Sequence, residues 1–148
     1  MRDRKPRKSA AELQWLKVAR PEAGYAGSVV TLVARVSRTP SGRAVLESIR
    51  DSGSVVGIEK PEVPTDPPNA WTERRAATTM AGVDVVICFD PADWPSPMEP
   101  EPRPADVVMF ELLEAAARMA SGGGADGDAS PARQAYLRER GPPGGSVQ

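Results

Sequence analysis

The amino-acid sequence predicts an α+β fold in which a short β-sheet packs against helices. Segments with helical periodicity and segments rich in β-branched residues follow one another in the order helix, strand, long loop, strand, loop, helix, helix. This order is typical of α+β domains. The 148 residues include 16 prolines and 13 glycines, so we expect long Pro/Gly-rich loops between the elements.

The N-terminal half is predicted to contain the first helices. Residues 10–20 fit either a short helix or an entering strand. Residues 28–36 are rich in valine, which favours a strand, but their apolar positions share one helical face, and we interpret them as a helix. Thr39 or Ser41 is then the expected N-cap of a second helix. This helix should end at residues 51–53, where Asp-Ser-Gly follows the last apolar position.

The C-terminal half is predicted to alternate strands and loops before two helices. Residues 54–59 indicate a strand, and the nearly continuous apolar run at 83–89 indicates a strand buried on both faces. The proline-rich segments are predicted loops, at residues 60–69 and 92–104. Residues 104–122 show the periodicity of an amphipathic helix that ends in glycines, and residues 131–140 indicate a last short helix.

The length and the charge of the chain limit the possible domain organisation and the possible classes of partner. We expect a single domain at residues 11–143, preceded by a disordered basic arm at 1–10 and followed by a tail at 144–148. The net charge of −1 gives no electrostatic case for binding nucleic acid. No apolar stretch has the length of a membrane span. The basic start lacks the apolar core of a secretory signal, so we expect a cytoplasmic protein or one exported by a dedicated secretion system.

The absence of histidine is the strongest constraint on function. It removes the usual general base near neutral pH, the commonest transition-metal ligand, and every Ser-His or Cys-His nucleophile pair. The single cysteine, Cys88, lies in the apolar run at 83–89 and is expected to be an inert core residue. Any bound metal would need oxygen ligands, which favours calcium, magnesium or manganese over zinc. The sequence shows no such ligand set, and we expect no cofactor.

The helix at 104–122 contains the six-residue segment Phe-Glu-Leu-Leu-Glu-Ala at positions 110–115. This segment aligns with the His-Glu-x-x-His-Ala motif in the helix of zinc peptidases. Around it stand, in order, "TPSGRAVLESI", "SVVGIE", "VDVVICFDP" and "YLRERGPP". This succession, from about Thr39 to Pro143, resembles the secreted HExxH metallopeptidase effectors of bacteria, the NleD-like zincin family. The resemblance implies a small zincin-like domain of a bacterial effector or toxin system.

Carried over residue by residue, the resemblance implies a zinc site that has lost its ligands. Phe110 stands at the first zinc-binding histidine, Glu114 at the second, and Arg133 near the third-ligand carboxylate. Only Glu111, at the general-base position, keeps its residue type. A phenyl ring has no lone pair to donate, and Arg133 would repel a cation. The implied function is a catalytically silent module that binds or regulates another protein, with Phe110 buried in the former metal space.

Other interpretations of the same residues stay open. The helix is equally explained as an ordinary one, with Asp106 favourable near its N-terminus or capping it, and Glu114 paired with Arg118 four residues later. A hydrolase of another type could use Glu111 and Glu114 with loop carboxylates, for which Asp90 and Asp93 are the candidates. A third possibility is a structural subunit of a larger assembly. Tryptophans in predicted loops are candidate interface residues, at Trp71 and Trp94.

Overall fold

The computed structural model describes residues 15–19, 23–60, 70–74, 82–91, 104–122 and 131–140. Within these ranges the chain forms four strands and four helices. In chain order they are β1 (Leu16–Val18), α1 (Ala23–Ser37), α2 (Pro40–Ser52), β2 (Val56–Glu59), β3 (Ala70–Arg74), β4 (Val85–Phe89), α3 (Ala105–Ala120) and α4 (Pro131–Glu139). The predicted α+β class is confirmed.

The four strands form one mixed sheet in the order β1-β2-β4-β3. The first three strands in this order run parallel, with Val56 of β2 paired to Leu16 of β1 on one side and to Val85 of β4 on the other. β3 runs antiparallel to β4, with Thr72 opposite Ile87. Two helices therefore connect β1 to its parallel neighbour β2, as parallel pairing requires a long crossover.

Every residue of β4 is buried, which confirms the prediction of a strand covered on both faces. Its alternate residues Val85, Ile87 and Phe89 belong to the main core together with side chains of all four helices. Val86 and Cys88 point the other way and form a second, smaller cluster with Val83. The alternation explains why this segment reads as a continuous apolar run in the sequence.

Capping explains the bounds of α2. The Thr39 hydroxyl accepts a hydrogen bond from the Gly42 backbone N–H at 2.9 Å, which confirms Thr39 as the N-cap. Gly42 is buried, and a Cβ at this position would lie 1.8 Å from the carbonyl oxygen of Val36, so only glycine fits this tight entry. At the other end Gly53 takes the left-handed conformation, with φ of 83°, and stops the helix.

Most predicted elements lie where the sequence placed them. Residues 28–36 fall within α1, residues 54–59 contain β2, and residues 131–140 contain α4. Of residues 10–20, the described part, residues 15–19, contains the short strand β1, which agrees with the strand alternative. No described helix is long and apolar enough to cross a membrane.

β3 corrects the sequence prediction, which had no strand between 59 and 83. Trp71 was predicted in a loop, but it lies within β3, opposite Cys88. Pairing with β4 supplies the backbone hydrogen bonds of this strand, and the Thr72 hydroxyl donates a further one to the Leu112 carbonyl of α3 at 3.1 Å. Trp94, the basic arm, the tail and nearly all of both proline-rich loops lie outside the described residues.

Candidate functional site

The residues that the sequence singles out meet at the contact between α3 and α4. α3 carries Phe110, Glu111 and Glu114, and Arg133 lies in the first turn of α4. Both helices are amphipathic segments that join the main core, α3 through most of its length and α4 through Tyr136. We call this contact the α3–α4 interface.

Phe110 is completely buried in the α3–α4 interface, as predicted. Its ring stacks on that of Tyr136 from α4, with centroids 4.4 Å apart and planes inclined by 6°. Tyr136 is also fully buried. The position that resembles a zinc-binding histidine is therefore filled by a phenyl ring whose neighbour on α4 is another aromatic ring, and the pair contributes packing rather than ligand atoms.

Glu111 and Arg133 are brought together, although the sequence analysis gave Arg133 only the role of repelling a metal. The Arg133 Nε lies 3.2 Å from Glu111 Oε2. The two side chains are 21% and 31% exposed, so the pair sits at the edge of the interface rather than in its centre. The Glu111 carboxylate thus faces the guanidinium of Arg133 on α4 rather than an open cleft.

Glu114 points along its own helix. Its Oε1 lies 3.8 Å from Arg118 NH1, which is the i,i+4 pair expected of an ordinary helix. Glu114 is 17% exposed and lines a cleft between α2 and α3. Phe110, Glu111 and Glu114 thus have three different environments: an aromatic stack, an ion pair with α4 and an ion pair within α3.

Asp106 lies in the first turn of α3, where a negative charge is favourable as predicted, but it does not cap the helix. The N-cap of the helix is Pro104, which makes no side-chain capping bond. Asp106 is instead 1% exposed and turned toward α4, where Tyr136 donates its hydroxyl proton to Oδ2 at 2.6 Å. Arg140 donates two further hydrogen bonds, one to each carboxylate oxygen, both at 2.8 Å. The capping prediction was wrong because the carboxylate finds a stronger, charged partner on the neighbouring helix.

This network sets the charge state of Asp106. Burial acts to raise the pKa of its carboxyl, but hydrogen bonds from Arg140 and Tyr136, together with the charge of Arg140, outweigh burial and hold the pKa below its usual value. The same contact, with burial as the larger cause, raises the pKa of Tyr136. Asp106 therefore stays ionised at neutral pH, and its hydrogen bonds to Tyr136 and Arg140 link α3 to α4.

We expect Asp106→Asn to lower the free energy of unfolding by about 1–3 kcal/mol at pH 7, because the largely buried cation of Arg140 loses its counter-charge and faces a neutral amide instead. A carboxyl with a lowered folded-state pKa stabilises the fold above its unfolded pKa of about 3.9 and loses this effect as the pH falls through the folded value. The difference between wild type and variant should therefore shrink from pH 7 to pH 3 in thermal or denaturant unfolding. Glu114→Gln is the control, with a small effect throughout. An equal difference at both pH values would contradict this role.

The remaining candidates do not join the interface. Cys88 is buried, and burial, followed by the charges of Glu59 and Glu73, raises the pKa of its thiol to about 12, which agrees with an inert cysteine. The Asp90 carboxylate lies 3.9 Å from Lys60 Nζ, and Asp93 is outside the described residues. In the described part of the chain, no three Asp, Glu or Cys side chains gather as a metal site would require.

The sequence did not single out Tyr136 and Arg140. Tyr136 stacks on Phe110 and donates a hydrogen bond to Asp106, and Arg140 donates two hydrogen bonds to Asp106. A signal for them was present in the spacing: Asp106 and Phe110 are four residues apart, and so are Tyr136 and Arg140, so each pair shares one helical face. The spacing does not indicate that these faces of α3 and α4 pack against each other.

Comparison of the chain with protein-family models, with curated proteins and with solved structures gave no match. The resemblance to zincins is thus a feature of the sequence pattern alone.

Proposed function

We propose that this chain is a catalytically silent, metallopeptidase-like domain that acts as a binding or regulatory module. The observation that carries the proposal is the burial of Phe110 against Tyr136 at the position of the first zinc ligand. A zincin needs two imidazoles on one face of this helix, with an open coordination position beside them. An aromatic stack supplies neither the lone pair nor the open position.

The other relic positions support the same proposal. A metallopeptidase general base acts on a water whose pKa a metal has lowered from 15.7 to about 7. Glu111, at the general-base position, faces the cation of Arg133 at 3.2 Å instead. Without the metal ligands there is no activated water for this carboxylate to deprotonate.

The contacts favour this proposal over a hydrolase that works through carboxylates alone. Such a site would need several acidic side chains converging on one cation. Glu111, Glu114 and Asp90 instead lie each beside a basic residue, on α4, on α3 and after β2 respectively. Binding to another protein is then the function that a scaffold of this kind retains. Trp71 in β3, at one end of the described sheet order, and Trp94 stay our candidate interface residues.

The protein as purified is expected to carry no stoichiometric zinc and to leave peptides uncut. Metal content is measured by elemental mass spectrometry after purification without chelator, and cleavage by mass spectrometry of a mixed peptide library with and without added zinc. Glu111→Gln is the matched control, since it removes the only retained catalytic residue type and distinguishes this chain from a contaminating protease. About one equivalent of zinc, or cleavage that Glu111→Gln abolishes, would overturn the proposal.

A further inference from the structure

A cleft of about 370 Å³ lies between α2 and α3, beside the start of α4. The cleft is shallow and open to solvent, and its volume is at the lower end of the range of about 300–1,000 Å³ that small-molecule sites occupy. Of the three former ligand positions the cleft includes only Glu114, and neither Phe110 nor Arg133. An inference about the cleft therefore goes beyond the proposed function and stands whether or not the helix descends from a metallopeptidase.

Four small apolar side chains line the cleft, together with three serines and two charged residues. Ala44 and Val45 contribute from α2, Ala117 from α3 and Ala132 from α4. Val45 and Ala117 are 7% and 8% exposed, so they form a fixed floor that belongs to the core, whereas Ala44 is exposed at the rim. The methyl groups of this floor favour an aliphatic group in contact with it, whereas the serines and charged side chains of the lining suit polar groups.

One wall of the cleft carries two opposite charges. Glu114 Oε1 and Arg118 NH1 are 3.8 Å apart, and both side chains line the cleft. They are 17% and 35% exposed, so each has surface left for a ligand. Because the charges cancel, a ligand with a single charge would meet one attractive and one repulsive group. A ligand that carries both charges close together would find an attractive partner for each.

We propose that this cleft binds a free aliphatic α-amino acid, such as leucine. Its ammonium group would pair with Glu114, its carboxylate with Arg118, and its side chain would lie on the methyl floor formed by Val45 and Ala117. Both charged groups of an α-amino acid are attached to the same carbon, so their separation suits two protein charges that are 3.8 Å apart. The Ser48 hydroxyl, on the α2 side of the cleft, offers a further hydrogen bond.

The test is a titration of the full ¹⁵N-labelled chain with L-leucine, followed by amide chemical shifts. We expect saturable shifts in the segments around Ala44 and around Glu114–Arg118, with a dissociation constant of about 1 mM or tighter. 4-Methylpentanoate lacks the ammonium group, isopentylamine lacks the carboxylate and glycine lacks the side chain, and each should bind at least about tenfold more weakly. Absence of saturation with leucine up to about 10 mM, or equal binding of 4-methylpentanoate, would overturn the proposal.

Two variants locate the site. Ala44→Phe fills the cleft from its exposed rim and should abolish the shifts, whereas Glu47→Phe places the same ring at another exposed position of α2, outside the cleft lining, and should leave binding unchanged. Arg118→Gln should reduce the preference for leucine over isopentylamine at least about fivefold, because the carboxylate loses its partner. Leucine binding that survives Ala44→Phe, or a leucyl dipeptide that binds more tightly than leucine, would refute a free amino acid as the ligand of this cleft.

Discussion

Replacing Phe110 by alanine is expected to lower the free energy of unfolding by about 3–5 kcal/mol, as truncation of a buried aromatic side chain does. The ring is fully buried and stacks on Tyr136 at a centroid distance of 4.4 Å, so its removal leaves a cavity and also ends an aromatic contact. Tyr136 holds Asp106 through its hydroxyl, and loss of the stack should loosen this network as well. Urea titration followed by circular dichroism measures the change.

Two control variants separate cavity formation from general sensitivity of the helices. Phe110→Leu keeps most of the apolar volume and should lose less than about half as much stability as Phe110→Ala. Leu137→Ala removes an apolar side chain on α4 that is 37% exposed and should change stability by less than about 1 kcal/mol. A loss below about 1 kcal/mol for Phe110→Ala would mean that the ring is not part of the core.

Helices were predicted well because their signals are local. The Thr-Pro-Ser-Gly start of α2 contains its own N-cap in Thr39 and its own close-packed glycine in Gly42. For α1, the apolar spacing at 28–36 outweighed the β-branched content, since a helix with this spacing buries a continuous face against the sheet and α3. Periodicity was the better guide because tertiary burial, not intrinsic propensity, stabilises such a helix.

Strands were predicted less well because their stability comes from distant partners. β3 carries Ala, Trp, Thr, Glu and Arg, a mixed composition that does not stand out next to a proline-rich segment. Its partner β4 lies beyond a further stretch of chain, and its Thr72 contact is made with α3, 40 residues away. β1 has only three residues and depends on its parallel pairing with β2. None of these contacts has a local signature in the sequence.

At the candidate site, too, local features were predicted from the sequence and contacts between distant residues were not. The sequence alone indicated that Phe110 would be buried and that Glu114 would pair with Arg118, and both are found. It did not indicate that the Asp106 carboxylate would bind Tyr136 and Arg140, because that depends on how α4 packs across α3. The pairing of Arg133 with Glu111 was missed for the same reason.

Restoration of a metal site tests whether the resemblance of α3 to the HExxH helix reflects geometry or chance. Phe110→His together with Glu114→His places two imidazoles on one face of α3, beside Glu111. Adding Arg133→Glu exchanges a repelling cation for a carboxylate on the neighbouring helix and supplies a third ligand. We expect the triple variant to bind zinc with a dissociation constant of about 1 µM or tighter, and the double variant at least about tenfold more weakly. Competition with a chromogenic chelator measures both, after circular dichroism has established that each variant folds.

The comparison between variants matters more than either affinity alone. Any i,i+4 histidine pair on a helix binds zinc weakly, so the double variant by itself would prove nothing about ancestry. Arg133 contacts Glu111 across the interface, whereas the next residue, Gln134, is exposed. Gln134→Glu in place of Arg133→Glu is therefore the matched control: it adds the same carboxylate one residue further along α4, where it should not improve zinc binding. Restored activity is not part of this test, because activity also depends on the hydrogen-bond partners that orient metal ligands. If the double variant and both triple variants bind zinc equally, residue 133 lies at no ligand position and the relation to zincins fails at the site.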